Sequence, residues 1–462
     1  MTNSPALLSK IAQQEASSSS RPLMAQRRFF PMWSAFSLGA FTDNMLRQSL
    51  IVGIPFGAIA MPAFFAGDNA VPVIGSLFAL AMLCFSPLAG QFADKFETLF
   101  MFKRTKFVEA VIMITAALGF LINNGGLLVL AMFAMGAQSA FFSPVRIGAM
   151  PKYFLPGELI RANALCNAGL FVSIILGLFF GGLFVEQPSG KIIIAVILVI
   201  ASITGWFIVR RAPEAAPNAP SLKIDYNIFA QGYQIIGYAI KAPGVIRPMI
   251  GFGVFYYVST FITVLLPIYV RDELGGSGVV ATAIMGFFAI GTGLGALGAA
   301  MLAKNKSGLG YSTLGITGSA IATFVAFSLT GPAAAGGAAT VEFLFKNPAG
   351  IALILSFATS SALMGLYIAP LQAAVQRRAP AEVRARIMAA GNMINAFTAF
   401  AGSMSVLIVT STSFSAANAL LVVATIQVAI ALYMIRRHQT MPPNLHDEML
   451  IAPNTSGDAD VI

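Results

Sequence analysis

Runs of about 20 or more mostly apolar residues alternate with short polar connections along the 462-residue chain. The runs fall near residues 29–60, 71–93, 104–122, 126–150, 162–185 and 190–209, and resume near 247–270, 279–302, 311–331, 349–374, 385–411 and 414–435. A helix of roughly 20 apolar residues crosses the hydrocarbon core of a bilayer, so the pattern predicts an all-α membrane protein with twelve transmembrane helices. The longest polar gap, Arg210 to Arg247, divides the runs six and six. Expected segments are an N-terminal tail at 1–26, a six-helix bundle at 27–209, a linker at 210–246, a second bundle at 247–437 and a tail at 438–462. Within the linker, Pro213, Pro217 and Pro220 predict a loop, and the apolar periodicity from Lys223 to Lys241 predicts an amphipathic cytoplasmic helix.

The two halves carry the same series of residues. Pro144 in the fourth run is followed by Pro156-Gly157-Glu158, Arg161, Asn163 and Asn167. Pro370 in the tenth is followed by Pro380-Ala381-Glu382, Arg384, Asn392 and Asn395. Such repeats in transporters build two pseudo-symmetric bundles around a central cavity. Glu158 with Arg161, and Glu382 with Arg384 and Arg386, are expected to make structural charge contacts at the cytoplasmic face.

Composition narrows the class further. The chain is 57% hydrophobic and only 10% charged, which excludes a soluble enzyme. Its net charge of +10 is unevenly placed: of 28 Lys and Arg, 23 fall in the tails and even-numbered connections. The odd-numbered connections hold Lys191, Arg271 and Lys346, and Arg47 and Arg146 lie within runs. This asymmetry predicts cytoplasmic termini by the positive-inside rule, and makes the basic excess a topology signal with no nucleic-acid partner. Cys84 and Cys166 lie in apolar runs, and His438 and His446 lie in the C-terminal tail. No metal site, cofactor or catalytic constellation is expected.

The chemistry concentrates in the first run, at Gly39-Ala40-Phe41-Thr42-Asp43-Asn44-Met45-Leu46-Arg47-Gln48. A charge at mid-membrane depth costs on the order of 3 kcal/mol or more. Asp43 and Arg47, four apart on a helix, either neutralise each other or line a solvated cavity together with Asn44. The charges expected inside the first six spans are Asp43, Arg47 and Arg146. The second half offers no acid within a span, and its expected contribution is hydroxyls such as Tyr257 and Ser259.

Gly90-Gln91-Phe92-Ala93-Asp94-Lys95 after the second run, with twelve spans and a central linker, resembles the major facilitator superfamily. Glu97 stands where that signature usually has a glycine. Within the superfamily, Arg27-Arg28-Phe29-Phe30-Pro31, the Phe41-Thr42-Asp43-Asn44 stretch and Gly136-Ala137-Gln138-Ser139-Ala140-Phe141-Phe142-Ser143-Pro144-Val145-Arg146 resemble the lysophospholipid transporters. The similarity is greatest to the transporter domain fused to acyltransferase and acyl-carrier-protein ligase modules. It covers residues 24–186 well and the second half thinly. Arg146 stands in place of a lysine, span seven lacks the usual basic residue, and Leu178 occupies the proline position of the drug/proton antiporter signature.

The resemblance implies a secondary transporter that moves lysophospholipid or a similar amphiphile across the bacterial inner membrane by alternating access. Asp43, Asn44, Arg47, Arg146, Tyr257 and Ser259 are the expected substrate contacts. Gly90, Asp94, Lys95, Pro144, Glu158, Arg161, Glu382 and Arg384 are the expected gating or structural residues. The chain carries no acyltransferase module, so a separate acyltransferase is the implied partner. The alternative is an exporter of drugs or of small metabolites such as siderophores, proton-coupled through Asp43.

The charge asymmetry makes a direct prediction. A reporter fused after Arg437 should read as cytoplasmic and one inserted between residues 331 and 346 as periplasmic. Both reporting one compartment would contradict twelve spans.

Overall fold

The structure, a computed structural model, describes residues 22–62, 69–154, 156–242, 244–302, 309–335, 339–380, 383–412 and 414–439. Among them, twelve helices of 20 to 31 residues match the twelve apolar runs. In the first half these are α1 (Phe30–Gly53), α2 (Ala70–Lys95), α3 (Thr98–Leu121), α4 (Gly125–Tyr153), α5 (Pro156–Val185) and α6 (Gly190–Val209). The linker holds α7 (Ile228–Lys241). The second half comprises α8 (Ile246–Asp272), α9 (Gly278–Leu302), α10 (Leu309–Ala334), the short α11 (Val341–Lys346), α12 (Pro348–Arg378), α13 (Arg384–Thr410) and α14 (Ala416–Gln439). Ten of the long helices are sufficiently apolar to cross a membrane by length and composition alone. The other two, α1 and α3, carry the polar run 42–48 and the charges Arg104, Lys106 and Glu109 respectively.

Local chemistry sets the boundaries. Pro31 and Pro348 sit in the first turns of α1 and α12, where no intrahelical N–H is needed. Asn124, Asn227 and Asn347 cap α4, α7 and α12 with side-chain oxygens. Glu97, the departure from the signature glycine, caps α3: its carboxylate accepts from the backbone N–H groups of Leu99 and Phe100.

The first half packs around two apolar clusters. One includes Met45, Leu50, Met113, Phe120 and Leu198; the other includes Phe29, Met32, Phe102, Tyr153 and Val209. The polar part of α1 lies between them. The second half surrounds a single larger cluster that includes Phe261, Tyr269, Phe357 and Tyr367.

The halves meet through α2 against α13 and α5 against α9. Their polar contacts gather at the end away from the basic connections. Ser403 donates to the Pro72 carbonyl at 2.6 Å, Arg271 to the Pro55 carbonyl at 3.1 Å, and Ser411 to Asn69 at 3.2 Å. Toward that end, Gln48 of α1 donates to the Met285 sulfur of α9 at 3.1 Å. At the basic end the linker lies against the first half. Glu97 accepts from the Ala215 N–H, Asn218 donates to Asp94, and Tyr153 and Lys152 donate to the carbonyls of Pro213 and Ala216.

Glycines set the tightest contacts, because a small residue lets two backbones touch. A Cβ on Gly181 of α5 would lie 2.5 Å from the Met45 carbonyl oxygen of α1. One on Gly295 of α9 would lie 1.7 Å from the Ala362 oxygen of α12. Gly295→Val should therefore force α9 and α12 apart. Overpacking of this kind costs about 1–3 kcal/mol or more and should appear as a lower melting midpoint in detergent. Gly298→Ala, which meets nothing within 4 Å, should not lower the midpoint, since alanine is the better helix former.

Candidate functional site

Between the halves lies a cavity of about 440 Å³, and every charged group buried in the first half reaches its wall. α1 supplies Asp43, Asn44 and Arg47; α3 supplies Lys106 and Glu109; α4 supplies Gln138, Ser139, Ser143 and Arg146. The opposite wall comes from Tyr256 and Thr260 of α8 and Asn392 and Asn395 of α13. Phe36, Phe78, Met82, Met135, Phe142 and Leu170 make much of the remainder apolar.

Lys106 and Glu109 form the anchor. One helical turn apart, they pair at 2.7 and 2.9 Å, with 0% and 2% of their surface exposed. Away from the cavity the pair is bracketed by its neighbours. Gln138 donates to Glu109 at 3.2 Å, the Phe142 ring lies 4.8 Å from the Lys106 ammonium, and α1 passes at Gly39. A Cβ at Gly39 would stand 2.4 Å from Lys106 Nζ, so the first glycine of the polar stretch is the notch that admits the pair.

Asp43 is held beside this anchor by the residue that follows Gln138, whose single hydroxyl proton goes to the carboxylate. Gln138 binds Glu109 through its amide N–H, Ser139 lies 3.4 Å from the Gln138 oxygen, and Ser139 donates to Asp43 Oδ2 at 2.9 Å. Asp43 and Arg47 form no ion pair, which removes the reading in which they neutralise each other. Asp43 Oδ1, Arg47 Nε, Arg146 Nε and Asn395 Oδ1 are buried with no hydrogen-bond partner in the protein. All four residues line the cavity. Orphaned buried groups cost about 1–3 kcal/mol each, more when charged, and are expected where a ligand or water supplies the partner.

The charges balance unequally. Lys106 and Glu109 cancel, leaving Asp43 against Arg47 and Arg146. Arg146 lies seven residues beyond Ser139 on α4, which places it about 10 Å along the axis from the Asp43 level. Its guanidinium stacks 4.0 Å from the centre of the Phe36 ring, a cation–π contact that leaves its edge free to donate. The site thus offers a cationic pole, an acidic group about 10 Å away and an apolar floor.

The structure moves several expected residues. Tyr257 donates to Ser405 at 2.9 Å and its backbone is packed on Gly402, so it faces α13. Ser259 is likewise absent from the cavity wall, and Tyr256 and Thr260 take their places. The reason is the helical period: residues four apart share a face, and a neighbour is turned by about 100°. Lys106, counted from the sequence among the loop cations, is buried inside α3, so among the described residues the first half brings five charges to the cavity wall, Glu109 included. A Lys-x-x-Glu spacing inside an apolar run was the available signal.

Of the expected gating residues, the described ones other than Pro144 are dispersed toward the basic end. Asp94 binds the linker, Lys95 lies 5.9 Å from the Phe96 ring, and a side chain on Gly90 would meet nothing within 4 Å. Pro144 lies inside α4. Glu158 takes a bidentate contact from Arg28 at 2.6 and 2.9 Å, while Arg161 is exposed. Glu382 lies outside the described residues, and Arg384 is the first residue of α13.

Removing one member of a buried ion pair costs about 3–5 kcal/mol, because the other charge is left unpaired, whereas replacing both by apolar residues is often neutral. Lys106→Met or Glu109→Leu alone should therefore lower the melting midpoint sharply. The double variant Lys106→Met/Glu109→Leu should recover most of the loss. Equal midpoints for all three and the parent would show that the pair holds nothing together.

Similarity to known proteins agrees with this geometry. The lysophospholipid transporter LplT of Photorhabdus laumondii is 25% identical over 262 residues, 56% of this chain and 62% of the relative. That of Klebsiella pneumoniae strain 342 is 25% identical over 274 residues, 57% of this chain and 64% of the relative. The matches thus span about three-fifths of these curated relatives. Among solved structures, a bacterial homologue of the lysosomal transporter Spinster superposes with a TM-score of 0.65 at 11% identity, over 93% of this chain and 99% of that one. A POT family transporter in complex with 5-aminolevulinic acid gives 0.66 at 14% identity, over 88% and 95%. At such identities the likeness establishes the fold: two six-helix bundles of the major facilitator type. The model of the Major Facilitator Superfamily matches residues 36–403, and the chain belongs to that superfamily of membrane transporters.

Proposed function

We propose that this transporter moves lysophospholipid, or a similar amphiphile with an anionic headgroup and one acyl chain, across the bacterial inner membrane. The observation that carries the reading is the cavity itself. Two arginines and an aspartate without ion-pair partners among the described residues face an apolar floor, with one positive charge in excess. Guanidinium groups donate paired, charge-assisted hydrogen bonds to phosphate oxygens, so Arg146 is the phosphate ligand, while Arg47, one turn of α1 beyond Asp43 on the side away from Arg146, adds positive charge to the cavity. Asp43, about 10 Å along the axis from Arg146, accepts from an ammonium when the headgroup has one. Phe36, Phe78, Met82 and Met135 receive the acyl chain. The similarity to proteins named lysophospholipid transporters supports the same substrate class.

Transport by this reading is alternating access. Contacts between the halves at the end remote from the basic connections close the cavity there, and rocking of the bundles exchanges those contacts for others. The positive-inside bias makes the basic end cytoplasmic and both termini with it. A separate acyltransferase is the partner that would consume the delivered substrate.

The headgroup assignment is tested by paired substitutions in proteoliposomes. Losing a charged hydrogen bond costs about 1.5–3 kcal/mol, roughly ten- to hundredfold in affinity. Arg146→Ala should lower affinity for lysophosphatidylethanolamine and lysophosphatidylglycerol alike, with Arg146→Lys retaining part of it. Asp43→Asn should penalise only lysophosphatidylethanolamine, which has the ammonium. Equal loss for both lipids in folded Asp43→Asn protein would contradict the role of Asp43. Full activity of Arg146→Ala would contradict the phosphate site and favour export of a different solute.

A further inference from the structure

The linker helix α7 has three faces, and only one is covered by the protein. At about 100° per residue, Gly232 and Ala239 fall on one side, where they are buried, together with the partly buried Ile235. Phe229, Tyr233 and Ile240 fall within about 40° of one another on a second side and are 85%, 82% and 62% exposed. Gln234 and Lys241 occupy a third side and are exposed as well. A helix in water with one protein contact needs two faces; a separate aromatic stripe beside a polar one marks a helix lying in the plane of a membrane interface.

The depth of α7 points the same way. A Cβ on Gly232 would lie 3.0 Å from Met393 Cε of α13 and 3.8 Å from Pro87 Cγ of α2. Pro87 is eight residues inside the Lys95 end of α2, and Met393 nine residues inside the Arg384 end of α13. At 1.5 Å per residue this places Gly232 about 12–14 Å inside the basic ends of these spans. The full bilayer with headgroups is about 40–45 Å thick and its hydrocarbon core about 30 Å. With α2 and α13 each about 40 Å long and centred on that core, Gly232 lies about 7–8 Å within its edge, so the uncovered side of α7 at this depth is met by acyl chains. Cations lie beside it: Lys241 at the end of α7, and Arg386, which donates to the Tyr238 hydroxyl and stacks 4.7 Å from its ring.

We propose that the outer face of α7 is a lipid-binding surface, seated in the leaflet at the basic end and matched to an anionic headgroup region. Phe229, Tyr233 and Ile240 insert among acyl chains, Gln234 and Lys241 face water and headgroups, and the helix thereby covers the seam between α2 and α13 at that end. The seat is independent of which amphiphile the central cavity carries.

The test measures the environment of each face. In the Cys84→Ala/Cys166→Ala chain, nitroxide labels at Phe229→Cys, Tyr233→Cys and Gln234→Cys are compared in nanodiscs of phosphatidylethanolamine and phosphatidylglycerol. Labels at 229 and 233 should be relaxed more by oxygen than by a water-soluble nickel chelate, and the label at 234 should show the reverse. Equal nickel accessibility at 229 and 234 would overturn the proposal and place the stripe in water. Protection from both reagents at 229 and 233, or spin–spin broadening there, would overturn it in favour of a protein or a second copy on that face. Should the cysteine-free chain not fold, Tyr233→Trp in the native chain serves instead. Quenching by phosphatidylcholine brominated near the headgroup end of the acyl chain should exceed that of Trp33 and Trp206 in the parent, and no excess would overturn the seat.

Discussion

A charge inside a bilayer must have a partner, and the first half of this protein is arranged around one such pair. Lys106 and Glu109 are buried in α3 at 2.7 Å, with Gly39 of α1 giving way to them and Gln138 of α4 completing the carboxylate's contacts. Three helices are thus held in register by one ion pair. Because the pair satisfies itself, Asp43 is held by Ser139 alone on one oxygen and its other oxygen is left free. The cavity's chemistry depends on that division between charges that are spent on structure and charges that are not.

The same constraint explains the distribution of packing. Two apolar clusters flank the polar layer in the first half, whereas the second half, without an acid in its spans, condenses around one larger cluster. The halves therefore contribute differently to the cavity: charge from α1, α3 and α4, and amides and hydroxyls from α8 and α13. Glycines in α5 and α9 bring helices of the same half to backbone contact.

Much of this was legible in the sequence, for identifiable reasons. Apolar run length gave all twelve long helices, since hydrocarbon thickness leaves little choice of length. The polar stretch of α1 and Arg146 stood out because charge in a span is rare, and both line the cavity. Lys106 was misread because a cation near a span end resembles a loop cation, and only the packing of Gly39 and Gln138 shows that it is buried. Tyr257 and Ser259 failed differently. Rotational phase within an apolar helix is not written in its composition, so the face carrying Tyr256 and Thr260 became visible only from the arrangement of α8 against α13.

On the proposed function, the cavity between the halves holds the headgroup and chain of an amphiphile. Photo-crosslinking with a lysophospholipid bearing a diazirine at mid-chain, followed by peptide mapping, tests it most directly. Label is expected on the cavity-lining stretches of α1, α2 and α4, at Phe36, Phe78–Met82 and Met135–Phe142, with competition by unlabelled lysophospholipid. Label confined to outward residues such as Leu118, Ile200 and Phe207, unaffected by competitor, would contradict it.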